Sequence, residues 1–469
     1  MLTRRNLLTG LGLGVLVAGF DPVGRVWAAE GPFDRVPQLD GELVFDHSGV
    51  STDNGQYVIR EPLAVLRPKS VRDIEKMIRF CRKHRIKVAT RGRGHSTHGQ
   101  GLVAGLLIDS RWLATIHSID RDRADVDAGA TWLDLTRAGY RHRLAPPVLT
   151  GYIGLSIGGV LSMGGVSSTN RVGLAVDHVK ELEVVTGEGR AVRCSRTRNR
   201  ALFDAVLAGV GQFGVITRAI VDMVPALPMV RSYVLRYADL PTFFKDLRTL
   251  LTRNEIEDVF AQWLGGVPHI FAATAFEPSS PPNDSHLLRE LSGSVAQAAS
   301  LDFLTYVERV DTQVDDLRKS ISWDELVKPW FDVWLPGSTM ERYVSEVVPS
   351  LTARDVGAGG WVLLFPIQRS KLTRPMMRVP DDDWVFLFDI LTAAEKPGPD
   401  PAFAKEMLAR NNRLFDRARQ LGGVRYPIGS MDFGARDWAA HYGERWPEVQ
   451  RAKRAYDPDR ILTPGPGIF

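Results

Sequence analysis

One histidine of this sequence directly follows a run of glycines and arginines. The run TRGRGHSTHGQ (residues 90–100) comes straight after a predicted strand and contains Gly92 and Gly94 beside two arginines, with His95 next. Glycines allow successive backbone N–H groups to converge on an anion, so this loop could bind a diphosphate. A neutral imidazole nitrogen is also a nucleophile, which makes His95 a candidate for a covalent bond. The alternative is a tight turn that His95 merely caps.

A second glycine-rich stretch lies further along the chain. The run GLSIGGVLSMGGVSS (residues 154–168) combines two Gly-Gly pairs with several serine hydroxyl groups. This composition again suits backbone contact with a phosphate or a ring. Either stretch alone could be a tight turn, but two of them exceed what the turns of a sheet require. The pair therefore favours a bound cofactor.

Three further glycines spell a dinucleotide signature in the wrong context. Gly209, Gly211 and Gly214 form G-x-G-x-x-G, which in the dinucleotide-binding fold follows a strand and opens a helix. Here the helical run ALFDAVLA precedes the glycines, the strand-like run VITRAIV follows them, and positions 230–236 hold no acidic residue. We therefore exclude a nicotinamide site of that kind.

The surrounding sequence predicts alternating strands and helices that position these loops. A capping pair at Ser70 and Asp73 begins a helix whose apolar positions recur at helical spacing. Cys81 falls on its buried face, as a packed thiol. Residues 181–195 predict two strands around a turn, and the chain up to about residue 225 predicts one α+β domain. Beyond that point the glycine loops stop and aromatic residues become frequent, which predicts a second domain.

Charge and cysteine content exclude several classes of protein. The 469 residues include 59 Lys and Arg against 55 Asp and Glu, a formal net charge of +4, with no dense basic block. Nothing therefore favours nucleic acid as a partner. Cys81 and Cys194 are the only cysteines, which excludes a disulfide framework and a multi-cysteine metal site. We expect no bound metal.

The first 28 residues are typical of a targeting signal. Arg4 and Arg5 precede a short, glycine-rich apolar run, and Val-Trp-Ala at positions 26–28 fits a small-residue cleavage site. The run is shorter than the roughly 20 residues of a membrane-spanning helix, so we expect no membrane span. The twin arginines resemble the bacterial twin-arginine signal, whose machinery exports folded proteins. We expect residues 1–28 to be removed and the protein to be periplasmic or extracellular.

The motifs together resemble the PCMH-type FAD-binding oxidoreductases of the vanillyl-alcohol oxidase superfamily, and most of all the cytokinin dehydrogenases. The resemblance rests on RGRGHS, GGVLSMGGVS, GQFGVITRA, PWFDVWLP and YDPDRILTPGPGIF, which cover nearly all of the chain after the signal. It implies an α+β fold with an FAD-binding domain of two α/β subdomains at residues 40–226. It also implies a substrate domain, an antiparallel sheet covered by helices, at 227–427, and a C-terminal segment, 428–469, that returns to the FAD-binding domain.

The same resemblance implies FAD as the cofactor, bound covalently through His95. Such a bond would retain the flavin after export. Related enzymes that link flavin through both His and Cys have the cysteine near the second glycine-rich stretch, where this chain has none, so we expect a single histidyl link. The cofactor-binding residues expected from the loops and the matched motifs are Arg91, Gly92, Arg93, Gly94, His95, Ser96, Gln100, Gly151, Ser156, Gly158, Gly159, Ser162, Val166, Val215 and Thr463.

The chain departs from the family where a substrate would bind. The aspartate that takes a proton from the substrate's amine in cytokinin dehydrogenases aligns with Gly151, and an assisting glutamate aligns with Ala272. Two further positions that are aromatic or polar in the family become Ile428 and Pro466. Cytokinin itself is therefore not a safe prediction.

Hydride removal from a CH–NH or CH–OH group still requires a proton acceptor. Asp332 belongs to PWFDVWLP, a motif that lines the family's pocket, and it is our best candidate for the catalytic base, with Tyr152 second. The alternative for Asp332 is a surface carboxylate on a helix turn. Trp330 and Trp334 beside it could form an aromatic wall for a planar substrate, or simply belong to the core.

Two functional hypotheses of different classes follow. The first is an exported FAD-dependent oxidoreductase that oxidises a small, aromatic or unsaturated alcohol or amine and passes the electrons to oxygen or another acceptor. The second is a flavin-carrying protein that binds a ligand or transfers electrons without a dehydrogenation step of its own. The missing acids at Gly151 and Ala272 support the second hypothesis, whereas the new carboxylate at Asp332 favours the first.

Overall fold

The structure, a computed structural model, describes residues 17–21, 26–28 and 34–469. Within these residues, 22 strands form five sheets. The strands are β1 (Gly19–Asp21), β2 (Val26–Ala28), β3 (Asp34–Arg35), β4 (Glu42–Val44), β5 (Ala64–Arg67), β6 (Val88–Arg91), β7 (Leu106–Asp109), β8 (Ile116–Asp120), β9 (Arg123–Asp127), β10 (Leu144–Ala145), β11 (Val179–Val185), β12 (Ala191–Ser195), β13 (Val215–Asp222), β14 (Val224–Pro225), β15 (Met229–Arg236), β16 (Asp258–Leu264), β17 (Val267–Phe276), β18 (Ser294–Asp302), β19 (Phe331–Pro336), β20 (Trp361–Gln368), β21 (Trp384–Leu391) and β22 (Val424–Arg425).

The same part of the chain contains 13 α-helices. They are α1 (Val71–Lys83), α2 (Trp132–Tyr140), α3 (Ile157–Met163), α4 (Arg200–Val206), α5 (Leu240–Arg253), α6 (Asp284–Leu287), α7 (Phe303–Val307), α8 (Arg309–Ile321), α9 (Gly337–Val347), α10 (Ala353–Val356), α11 (Pro401–Gln420), α12 (Ala435–Tyr442) and α13 (Trp446–Tyr456). No helix among the described residues is long and apolar enough to cross a membrane.

A four-stranded sheet in the order β4-β5-β7-β6 forms the first subdomain, and its strands β5, β7 and β6 are parallel. Helix α1 connects β5 to β6 and begins as predicted, with the Ser70 and Asp73 side chains forming a capping box. The Asp73 carboxylate also accepts the backbone N–H groups of Asp40 and Gly41. Cys81 lies on the buried face of α1, as expected. The first glycine-rich loop follows β6 directly.

An antiparallel five-stranded sheet in the order β12-β11-β13-β9-β8 forms the second subdomain. The predicted hairpin of residues 181–195 is confirmed as β11 and β12. The predicted helix and strand on either side of Gly209 and Gly214 are confirmed as α4 and β13. The second glycine-rich stretch contains α3, which packs against β13. Both glycine-rich stretches thus lie at the junction of the two subdomains.

An eight-stranded antiparallel sheet in the order β18-β15-β17-β16-β20-β21-β19-β22 forms the rest of the α+β fold. Alternate residues of a strand point to opposite faces. In β19, Phe331 and Val333 pack with residues of α5, α9 and α11, whereas Asp332 points to the other face. In β21, Phe388 likewise packs on the helix-covered face, whereas Asp389 points to the face that lines the cavity. The sheet therefore has one face covered by helices and one face that lines a cavity.

The C-terminal segment returns to the first subdomain. Leu462 forms a parallel bridge with Val88 of β6, and the backbone N–H of Thr463 donates to the carbonyl of Val88 at 2.7 Å. Lys453 and Asp457 form a buried ion pair at 2.8 Å. This segment therefore extends the sheet that carries the first glycine-rich loop.

Part of the predicted targeting signal is described and part is not. Residues 1–16 and 22–25 lie outside the described residues. Strands β1, β2 and β3 form a small antiparallel sheet. Phe20 and Trp27 of this sheet are buried, and the Trp27 ring stacks on Phe80 of α1. The described part of the signal thus packs on the first subdomain.

Candidate active site

A cavity of about 550 Å³ lies between the two glycine-rich stretches and the uncovered face of the large sheet. This volume is in the range of cofactor and ligand sites. We call its two sides the glycine wall (residues 90–96, 151–166 and 210–216) and the sheet wall (the cavity-facing residues of β15 to β21). All of the site residues expected from the sequence line this one cavity: Arg91, Gly92, Arg93, Gly94, His95, Ser96, Gln100, Gly151, Tyr152, Ser156, Gly158, Gly159, Ser162, Val166, Val215, Asp332 and Thr463.

The glycine wall presents backbone to the cavity. A Cβ atom at Gly92 would overlap the Oγ atom of Ser156, so glycine is what allows the two stretches to touch. Gly94 has a φ of +66°, a conformation that favours glycine. The backbone N–H groups of residues 93–96 meet no acceptor within the described part of the chain. Consecutive free N–H groups in such a loop form an anion cradle, so this wall fits the diphosphate of FAD.

Several of the expected cofactor residues use their side chains inside the protein. The Arg91 guanidinium donates to the carbonyl of Thr52. The Gln100 amide donates to the carbonyls of Pro427 and Ile428, both at 2.9 Å. The Thr463 hydroxyl donates to the carbonyl of Gly211 at 2.8 Å. These side chains hold the loops in place by hydrogen bonds to neighbouring carbonyl groups.

His95 lies in the cavity between two aromatic rings. Its ring centroid is 5.4 Å from that of Tyr152 and 5.1 Å from that of Trp330. Burial, together with the positive charges of Lys328 and Arg318, lowers the pKa of His95 to about 4. The imidazole is therefore neutral near pH 7, which is the state a nucleophile requires.

Cations surround this end of the cavity. Lys328 is fully buried and donates to the carbonyls of Trp323 at 2.7 Å and Leu326 at 2.8 Å. Burial lowers the pKa of its ammonium group to about 7. Arg318 of α8 pairs with Asp324 and donates to the Tyr152 hydroxyl at 3.3 Å. The Tyr152 hydroxyl is therefore held by a cation at the cavity edge.

The sheet wall carries two carboxyl groups. Asp332 and Asp389 are direct partners in the antiparallel register of β19 and β21. Only 1% of Asp332 and 5% of Asp389 is exposed. Burial raises the pKa of Asp332 to about 7 and that of Asp389 well above its usual range. The alternative interpretation of Asp332 as a surface carboxylate on a helix turn is wrong, because the residue lies on a buried strand.

Aromatic side chains complete the sheet wall. Trp330 lines the cavity, but Trp334 packs against Tyr426 in the core. The proposed aromatic wall thus contains only the first of these two tryptophans. Further aromatic residues of the cavity lining were not expected there from the sequence, among them Phe260, Phe271, Trp361 and Phe365.

The positions where the chain departs from its family also fall near the cavity. Gly151, Ala272 and Ile428 line it. A Cβ atom at Gly151 would be 4.0 Å from the nearest atom, a methyl group of Val310, so the missing side chain leaves open space. The backbone carbonyl of Pro466 accepts from the Trp438 indole instead.

Sequence reasoning missed one carboxyl group of the site. Gly211 and Gly214 belong to the matched motif GQFGVITRA, and both line the cavity as part of the glycine wall. Asp389 was not singled out. It is the one acidic residue in the apolar run VFLFDIL (385–391), a pattern that resembles the single Asp of PWFDVWLP and could have indicated a second buried carboxylate. Neither Cys81 nor Cys194 is among the lining residues.

Comparison with known proteins adds independent findings. A family model described as "FAD binding domain" matches residues 62–195, and one described as "Cytokinin dehydrogenase 1, FAD and cytokinin binding" matches residues 284–469. The "Uncharacterized oxidoreductase ORF5 in fasciation locus" of Rhodococcoides fascians is 34% identical over 427 residues, covering 89% of this chain and 96% of that protein. Cytokinin dehydrogenase 4 of Oryza sativa subsp. japonica is 30% identical over 490 residues, covering 92% and 90%. Cytokinin dehydrogenase 1 of Arabidopsis thaliana is 29% identical, covering 92% and 83%.

Proposed function

The chain belongs to the cytokinin dehydrogenase family of FAD-dependent oxidoreductases, and from this premise we propose that it oxidises a CH–NH or CH–OH group of a small, aromatic or unsaturated substrate. One observation carries the proposal. The buried carboxyl group of Asp332 opens on the same cavity as the anion cradle and His95, with no hydrogen-bond donor among the described residues on either oxygen. The candidate proton acceptor and the candidate cofactor site therefore line one cavity.

In this proposal Asp332 takes the proton from the substrate's N–H or O–H group. Its raised pKa, about 7, places it near neutral pH, where a general base is most effective. Bound FAD supplies the acceptor for the hydride. The sheet wall excludes water around the carboxyl group, and Trp330 offers a face for a planar substrate. An external acceptor, oxygen or another compound, then takes up the electrons.

We further propose that the flavin is joined to the imidazole of His95. Such a bond would replace the imidazole N–H and one C–H of the flavin's methyl group, and the two protons and two electrons released would pass to the external acceptor. The neutral state of His95 and its place in the cavity lining support this bond. The absence of both cysteines from the lining residues supports a single link.

Cytokinins, which the names of the relatives mention, are the first compounds to test. Gly151 and Ala272 supply no carboxyl group, so we propose that this chain uses a different proton route and accepts a different substrate. The flavin-carrying protein without a dehydrogenation step remains the second candidate, because two acids are missing.

The experiment that separates the candidates is anaerobic mixing of the purified protein with a panel of amines, alcohols, aldoses and phenolic compounds. We expect one class to bleach the flavin absorbance. Asp332→Asn should slow this bleaching about 100-fold or more while flavin content stays unchanged, because general-base catalysis contributes about that factor. If no compound bleaches the flavin, the second candidate stands. If the variant bleaches at the wild-type rate, Asp332 is not the base.

His95→Ala tests the covalent link separately. We expect the flavin of the wild type to stay with the chain in a denaturing gel, and the flavin of the variant to be released by acid. The Cys81→Ala and Cys194→Ala variants are matched controls that should keep the flavin attached. Equal release from wild type and His95→Ala would refute the link.

We also propose export through the twin-arginine machinery. The support is the sequence of residues 1–28. Mass spectrometry of the exported protein, and of an Arg4→Lys and Arg5→Lys double variant, tests it. Loss of export in the variant is the expected result, and the mass of the exported chain locates the cleavage site. Cleavage after Ala28 would remove Phe20 and Trp27 from their contacts with α1.

A further inference from the structure

The second carboxyl group of the sheet wall, Asp389, has no part in the function proposed so far. Asp332 and Asp389 occupy facing positions in β19 and β21, and both line the cavity. Cβ atoms of direct cross-strand partners lie about 4.5–5.5 Å apart, so two carboxyl groups on the same face are within reach of each other. The backbone register therefore brings them together.

Three of the four oxygens of these two carboxyl groups have no hydrogen-bond donor among the described residues. Both oxygens of Asp332 and the Oδ1 atom of Asp389 meet no donor in the described part of the chain. Arg425 of β22 is the cation whose charge acts on Asp332. Its guanidinium group donates to the carbonyl of Gly429 at 3.1 Å and lies over the ring of Phe433. Two buried carboxylates without donors cannot both be ionised at reasonable cost.

We propose that Asp332 and Asp389 form a dyad that holds one proton between them, with Asp389 as the protonated positioning residue and Asp332 as the base. The proposal rests on the proposed function, since it names the group through which Asp332 acts. The substrate's N–H or O–H bond breaks and its proton moves to the Asp332 carboxylate, while bound FAD would accept the hydride released from the adjacent carbon. Asp389 keeps its proton throughout and donates it as a hydrogen bond to Asp332.

The surroundings decide which member is ionised. Burial raises the pKa of Asp332, while the neighbouring Asp389 and then the positive charge of Arg425 act to lower it. The neighbouring charge of Asp332 raises the pKa of Asp389 beyond the effect of burial. Tyr426, which follows Arg425, is the other titratable group that faces the pair, and burial raises the pKa of its phenol so that it stays neutral. The negative charge therefore resides on Asp332.

The first test is the pH profile of flavin reduction in Asp389 variants. Asp389→Leu removes the donor, so the pKa of Asp332 should rise and the acidic limb should move to higher pH by at least one unit. Asp389→Asn retains an N–H donor and should keep the limb within about half a unit of wild type. An unchanged limb in Asp389→Leu, or an equal shift in both variants, would overturn the dyad.

The second test detects the proton on the pair of carboxyl groups directly, in the absence of substrate. The infrared spectrum of the flavin-loaded protein at pH 8.5 should contain a deuterium-sensitive carbonyl band of a buried, protonated carboxyl group. Asp389→Asn should remove this band. Asp246→Asn is the matched control, because Asp246 is a buried aspartate of α5 whose Oδ2 atom already accepts two backbone N–H groups. Its substitution should leave the band unchanged.

These outcomes separate the two proposals. A band that is lost in Asp389→Asn, in a protein that no substrate reduces, would support the dyad and reject the oxidation chemistry. Substrate reduction with no such band in the wild type would support the oxidation chemistry and reject the dyad.

Discussion

The two walls of the cavity obtain their polar groups in different ways. The glycine wall offers backbone N–H groups from residues 93–96, held by close contacts such as that between Gly92 and Ser156. The sheet wall offers side chains, placed by the alternation of residues in β19 and β21. Backbone donors remain when a side chain changes, but they disappear when an added Cβ atom forces the loops apart.

This difference explains which part of the site can change its chemistry. A substitution on the cavity face of a strand exchanges one side chain and leaves the ladder of backbone hydrogen bonds intact. The family's carboxylate positions are empty at Gly151 and Ala272, while Asp332 and Asp389 stand on the neighbouring strands of one sheet. Side chains on the sheet wall can therefore change without disturbing the backbone contacts of the glycine wall.

The largest effect should come from adding one methyl group to the glycine wall. We expect Gly92→Ala to lower flavin content at least tenfold and to destabilise the protein by about 1–3 kcal/mol, because the new Cβ atom would overlap Ser156. Flavin absorbance per chain and thermal unfolding measure the two effects. Gly101→Ala is the matched control, since its Cβ atom would be 3.5 Å from the nearest atom. Similar flavin loss in both variants would show that close loop contact is not the cause.

Titratable residues of the two walls should change the stability of the folded protein with pH in opposite directions. Burial lowers to about 4 the pKa of His95 on the glycine wall and of His98, which follows in the same loop just outside that wall. Between about pH 6.5 and 4 the unfolded chain then binds protons that the folded chain does not. These histidines therefore make the folded protein less stable as the pH falls. Asp332 of the sheet wall, with a pKa of about 7, holds a proton in the folded protein that the unfolded chain releases above about pH 4. This residue therefore makes the folded protein less stable as the pH rises toward 7.

Variants can isolate each contribution by calorimetry across this pH range. His98→Gln should reduce the acid-side loss by about 1–3 kcal/mol, and Asp332→Asn with Asp389→Asn should reduce the loss between pH 4 and 7 by a similar amount. The expected changes are thus confined to different pH ranges. Parallel curves for all proteins would contradict the assignment of these groups.

The smallest effect should come from a glycine of the glycine wall that has no close neighbour, Gly151. A Cβ atom added at Gly151 would be 4.0 Å from its nearest neighbour, a methyl carbon of Val310. We therefore expect Gly151→Ala to change the free energy of unfolding by less than about 0.5 kcal/mol. Flavin content should remain that of the wild type. A loss comparable with that of Gly92→Ala would show that the open space at Gly151 is needed by the cofactor itself.

Much of the glycine wall could be predicted from the sequence, because its backbone conformation restricts the residue types that can occupy it. The capping pair of α1, the hairpin of residues 181–195 and the glycine-rich loops are all local patterns. His95 followed from its place in such a pattern. Local rules therefore sufficed for this wall. At Gly211 and Gly214 the order of helix and strand excluded a nicotinamide site, and the motif GQFGVITRA that contains them indicated FAD.

The sheet wall could be predicted only in part, because its contacts depend on strand register. Asp332 and Asp389 are far apart in the chain, and nothing local indicates that β19 and β21 place them opposite each other. The same holds for Trp330 and Trp334, of which only Trp330 reaches the cavity. The face that a residue occupies follows from the helices that cover the other side of the sheet, and these lie elsewhere in the sequence.

The return of the C-terminal segment to β6 has a consequence for the order of events in the cell. Residues 453–463 complete the sheet behind the first glycine-rich loop, yet the ribosome makes them after the entire eight-stranded sheet. The cofactor site therefore stays unfinished during translation. Stable binding of a cofactor therefore has to follow the synthesis of residues 453–463, after every strand of the large sheet has been made.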